Sequence, residues 1–119
     1  SIFFIFAALS GAIGVALGAF GAHALKNRLT PERLQTFETG VRYQMYHVAG
    51  LWGVVFSAGQ WPGSSFPAWA GWAFVAGTVL FSGSLYGLVL TEKRWFGAIT
   101  PFGGLAFIAG WLLLALVGL

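Results

Sequence analysis

The chain has 119 residues, of which 58% are hydrophobic and 8% charged, with a formal net charge of +3 and no cysteine. At a mean hydropathy of +0.82 it lies outside ordinary soluble composition, and it is read as a single integral membrane domain over residues 1–119 with no length left for a separate soluble catalytic domain. Protein disulfides and cysteine-ligated clusters are excluded, and six basic residues spread among membrane loops suit a headgroup-facing surface rather than nucleic acid.

The first expected element is a span over residues 2–24. Ile2 to Ala22 carries no charge, and a helix of that length covers about 30 Å, the thickness of a bilayer core. It lacks the basic start of a cleaved leader. Ser10, Gly14, Gly18 and Ala22 recur every four residues and form a smooth face on which another helix can pack closely.

The next stretch, TPERLQTFETG (Thr30 to Gly40), carries helix-start chemistry. Thr30 can cap, Pro31 fits the first turn, and Glu32 favours the positive helix end. Leu34, Phe37 and Val41 follow at spacings of three and four, so the segment is a short amphipathic helix ended by Gly40, or one bent helix continuous with the second span.

The second span, residues 41–58, opens with polar residues. Glu38 and Arg42 form a candidate interfacial pair at a four-residue spacing, and Tyr43 and His47 repeat that spacing one turn on. With Gln44 they make a polar patch expected near the depth of His23 and Asn27. A third span is expected over 69–90 and a fourth over 96–119. Gly83 and Gly87 form a second close-packing face beside that of Gly14 and Gly18, while Thr78, Ser82 and Tyr86 offer polar contacts between helices. Gly103 and Gly104 permit a kink or a close crossing.

All six basic residues fall in the first and third connections, and GQWPGSSFPAW (Gly59 to Trp69) has none. Loops 25–42 and 91–95 are therefore expected in the cytoplasm and both termini outside, in the periplasm of a bacterium whose inner membrane holds the chain. Trp61, Trp69, Trp72 and Trp95 lie at segment ends, as interfacial indoles do. The fold class is thus all-α, a polytopic transmembrane four-helix bundle.

Chemistry has few candidates. His23, His47, Tyr43 and Gln44 are the residues of a proton-responsive or ligand site, set against a reading in which they cap helices and cross-link them. Two histidines alone do not make a structural zinc site. No metal or cofactor is expected, with bis-histidine haem as the alternative. Glu32, Glu38 and Glu92 share no catalytic motif, and Ser10, Ser57, Ser64 and Ser65 lack a His/acid partner. The balance is against an enzyme.

GAFGAHAL (Gly18 to Leu25) and TGVRYQMYHVAG (Thr39 to Gly50) resemble the paired signatures of the small membrane proteins catalogued as domain of unknown function family 423. The resemblance extends over essentially the whole chain, with Gly18, Gly21, His23, Gly40, Tyr43, Gln44 and His47 at matching motif positions. It implies a shared architecture and a shared site near the membrane boundary, and it supplies no reaction or ligand. The expected function is that of a small integral membrane protein contacting lipid, as an accessory or packing component with a membrane-protein partner or a second copy of itself. The alternative is a proton-linked transporter or haem-associated factor using His23 and His47.

Overall fold

A computed structural model describes residues 1–119 as four helices with short connections. We number them α1 (Ile2–Leu25), α2 (Pro31–Gln60), α3 (Phe66–Thr91) and α4 (Trp95–Val117). By length and composition α1, α3 and α4 can each cross a membrane. Phe20, Phe56, Val79 and Leu105 are more than 60% exposed, an outer surface suited to lipid and not to water. The chain is an all-α, polytopic membrane helix bundle.

Local chemistry sets where α2 begins. Thr30 is extended (φ −62°, ψ 156°) and its Oγ1 accepts from the Arg33 amide at 3.2 Å, with Pro31 at the first position and Glu32 in the first turn. The helix then runs through Gly40 without a break, so there is no separate short helix before the second span. Glycine in a helix interior costs about 1 kcal/mol. Here the cost is offset from outside: Tyr86 packs where a side chain on Gly40 would stand, and the Ser82 hydroxyl donates to the Gly40 carbonyl at 2.7 Å.

Along α2 one stripe is buried, comprising Gly40, Gln44, His47, Leu51, Val54 and Ser57. These positions recur at three and four residues, the period of one helix face. α2 is in contact with all three other helices. The small face of α1 lies against it in an antiparallel register in which Gly11, Gly14, Gly18 and Gly21 meet Val48, Met45, Val41 and Phe37.

Each of α1 and α3 contains one π-turn. The Ala22 amide reaches back to the Leu17 carbonyl and the Gly83 amide to the Thr78 carbonyl, one residue further than in an α-helix. α3 and α4 cross most closely where Gly103 lies on the backbone of Leu80 and Phe81. Below that crossing Gly87 accommodates Phe96, and above it Gly77 accommodates Phe107. Gly83 departs from the expected close-packing face: no other atom lies within 4 Å of a methyl built there. At that level Phe81 and Ser84 meet α4, which leaves Gly83 turned outward.

The core gathers Ala7, Leu51, Val54, Ala70, Phe74 and Phe107 from all four helices. Trp61, Trp69, Trp72 and Trp95 are each about half exposed.

Candidate functional site

The polar residues of α2 do not form one patch. They divide between the inside of the bundle and its surface, and the inner ones act as cross-links. Gln44 donates from Nε2 to the Ser10 carbonyl of α1 at 2.9 Å and accepts at Oε1 from the Tyr86 hydroxyl of α3 at 2.7 Å. One amide thus ties three helices together. A hydrogen bond between helices in lipid contributes about 0.6 kcal/mol on average and up to about 1.7 kcal/mol.

His47 ties α2 to α4. Its ring lies flat on Phe107, with centroids 3.5 Å apart and planes 4° apart, and its Nε2 is 3.0 Å from the Trp111 indole nitrogen. Nδ1 lies 2.6 Å from the Tyr43 carbonyl one turn back. The indole N–H can only donate, so Nε2 must be the accepting nitrogen, and Nδ1 carries the proton and donates it to Tyr43. Both nitrogens of a neutral imidazole are therefore used within the bundle, and His47 is 4% exposed.

His23 is elsewhere. It lies on the exposed last turn of α1, whereas the antiparallel register brings Gly11 and Gly14, not His23, to the level of Val48 and Met45. Following that register, His23 is about eleven residues from the level of His47, or roughly 16 Å along the axis at 1.5 Å per residue. His47 also points to α3 and α4 and not to α1. The two imidazoles do not face one another, so the geometry does not assemble a bis-histidine haem site or a coupled proton pair. No group of three His, Asp or Glu side chains converges anywhere.

Tyr43 approaches His47 through its carbonyl alone. Its ring turns outward onto Tyr46 and Phe81, at 5.5 and 4.8 Å. The expected Glu38–Arg42 pair does not form, and both residues are exposed. The ion pair is instead Arg33 to Glu92 at 3.4 Å, because the first turns of α2 lie against the α3–α4 connection. Glu38 and Arg42 sit on an open face where pairing two long side chains gains little. The Arg33–Glu92 pair is itself surface-exposed, and such pairs contribute between zero and about 1 kcal/mol.

Four participants escaped the sequence reading. Phe107 and Trp111 stand four residues apart on α4, a spacing that marks one helix face, but the partner they share across the bundle leaves no local trace. Ser84 and Thr100 join α3 to α4 at 2.6 Å.

Two depressions lie along α2, each with residues of α3 in its lining, the first bordering α4 as well and the second the α3–α4 connection. A groove of about 600 Å³ is walled by Tyr43, Tyr46, Phe81 and Ile108, with His47 and Trp111 also lining it. Nearer the basic end is a polar pocket of about 320 Å³ lined by Glu32, Arg33, Thr36, Leu88, Val89 and Arg94.

A small bundle whose inner polar groups bond to one another across helices, and whose outer face is apolar, defines a class of compact polytopic membrane protein. Residues 17–104 match the family model described as Protein of unknown function (DUF423). The chain belongs to this family. It is 47% identical over 113 residues to the UPF0382 membrane protein YwdK of Bacillus subtilis, covering 95% of this chain and 92% of that one. The UPF0382 membrane protein SH2409 of Staphylococcus haemolyticus is 48% identical over 113 residues, with 95% and 91% covered. The UPF0382 inner membrane protein YgdD of Escherichia coli K12 is 46% identical over 117 residues, with 96% and 86% covered. No solved structure matches the chain.

Proposed function

We propose that this protein is an accessory or packing component of a membrane-protein complex in a bacterial inner membrane, built to bring a partner helix close and not to carry out chemistry of its own. Gly83 is the observation that carries this reading. It lies within a membrane helix, outward-facing and beside no other side chain, so the bundle's own packing gives no reason for glycine there. Small residues on a membrane helix let a second backbone approach, where dispersion and weak Cα–H contacts stabilise the pair. The role of His47, Gln44 and Tyr43 is to hold α2 in the centre, and that of the exposed Glu38 and Arg42 is to meet the membrane boundary. The single domain spans residues 1–119, and the last twenty or so residues of α2 make the fourth crossing.

The inner-membrane assignment draws on the Escherichia coli relative, which carries that location in its name. The Arg33–Glu92 contact supports placing both basic connections in the cytoplasm and the termini outside, since it brings those connections to one end of the molecule.

Gly83→Leu tests the role. Gentle extraction of the wild-type chain from its own membrane should give a reproducible partner mass, or a second copy, in native mass spectrometry. The leucine variant should lose that mass by about tenfold while its own melting temperature stays within about 2 °C, because the new side chain points into lipid. Extraction of the wild type as a solitary chain under several mild conditions would overturn the reading.

A further inference from the structure

We propose that the side of α2 that runs past α3 and α4 is a binding site for one phospholipid with a zwitterionic phosphoethanolamine headgroup, its phosphate on Arg94, its ammonium on Glu32 and one acyl chain in the groove beside Tyr46. The polar pocket and the apolar groove belong to one track. On α2 the pocket residue Thr36 and the groove residue Tyr43 are seven apart, and on α3 Leu88 and Phe81 are also seven apart. A separation of seven residues is two turns and returns to the same helix face. Arg94, the residue before α4, lines the pocket, and on α4 Gly104, Ile108 and Trp111 line the groove, at spacings of four and three that keep to one face.

The two parts are offset along α2 by about twelve residues, or roughly 18 Å. That offset carries from a headgroup to the lower part of its acyl chain in a bilayer whose hydrocarbon leaflet is about 15 Å deep. The chemistry changes in the same order. The pocket holds both signs of charge, while the groove is almost wholly apolar, with Gly104 leaving its floor open.

Charge selects the headgroup. Glu92 engages Arg33 at 3.4 Å, so the charges left to a ligand are the guanidinium of Arg94 and the carboxylate of Glu32. A headgroup bearing one anion and one compact cation satisfies both, the phosphate accepting from the guanidinium and the ammonium donating to the carboxylate. An anionic headgroup without an amine would leave Glu32 facing negative charge, and a quaternary ammonium could not donate to it.

Native mass spectrometry of the purified chain in detergent, with defined lipids added, provides the test. With phosphatidylethanolamine, phosphatidylglycerol and phosphatidylcholine supplied at equal concentration, the wild type should retain one phosphatidylethanolamine molecule in preference to the others. Glu32→Gln and Arg94→Gln, both at exposed positions, should each weaken that retention by about tenfold, the effect of one lost charge-assisted hydrogen bond. Gly104→Leu should reduce retention of all three lipids by filling the groove, and an unchanged helical circular dichroism spectrum should accompany each variant. Equal retention of the three lipids, a preference for phosphatidylglycerol, or retention unaffected by both headgroup substitutions would overturn the proposal. None of these outcomes depends on whether a protein partner is recovered through Gly83.

Discussion

Replacing Gly103 with alanine should destabilise the bundle by about 3 kcal/mol, the upper part of the range for overpacking a well-filled interior. A methyl group at this position falls on the backbone of Leu80 and Phe81, not on the tip of a flexible side chain. Main chain cannot move aside by changing rotamer, so α3 and α4 must separate. Separation would also stretch the Ser84–Thr100 contact at 2.6 Å and draw Phe107 from its place beside Gly77. The measurement is detergent-denaturation midpoint followed by circular dichroism, with Gly104→Ala as the companion. Gly104 is one residue further on, and nothing lies within 4 Å of its built methyl, so that variant should be nearly neutral. Equal losses from the two substitutions would contradict the close crossing.

Substitution of His47 by alanine should cost a comparable ~3 kcal/mol, by a different route. Truncation removes the ring stacked on Phe107 and leaves a cavity, a change that typically costs about 2–5 kcal/mol for large buried side chains. It also takes from the Trp111 indole N–H the acceptor it has in the bundle. A double-mutant cycle separates the two contributions. With Trp111→Phe already in place, His47→Leu should cost less than in the wild type by about 1 kcal/mol, because no donor is then left unpaired. A coupling of zero would mean that the 3.0 Å contact contributes nothing, and the assignment of Nε2 as acceptor would lose its support. The cycle also bears on the family signature, since it asks whether a histidine that reads in sequence as a proton-responsive or ligand group acts as a strut.

Much of this architecture was legible in the sequence because lipid imposes simple demands. Charge-free runs of the right length and basic residues confined to two connections gave four helices, and Thr30, Pro31 and Glu32 marked the start of α2. Whether Gly40 broke that helix was not legible. The answer lies in Tyr86 and Ser82, more than forty residues away, which supply the packing and the hydrogen bond that a helical glycine lacks. The polar residues were visible as a set, but their spacing could not say which would turn inward. Gln44 and His47 are three residues apart, yet Gln44 bonds to α1 and α3 and His47 to α4, while Glu38 and Arg42, ideally spaced for an ion pair, remain on an open surface. Gly83 and Gly87 carry the same spacing signal, yet Gly87 receives Phe96 and Gly83 meets nothing. Trp111 was overlooked because an indole in a membrane helix suggests an interface and not a donor to a buried imidazole.

The π-turn at Leu17–Gly21 makes α1 one residue longer than an unbroken α-helix would need to be to join the same two ends. Losing Leu17, Ala19 or Phe20 from those five would restore the ordinary ladder and leave both flanks in phase, whereas the same loss at Ala7 or Gly14 would rotate every later side chain by about 100°. Relatives can therefore differ in length at this one place, in the middle of a membrane helix, and still present the same glycines to α2. An alignment gap there would mark not a divergent fold but the presence or absence of a single wide turn.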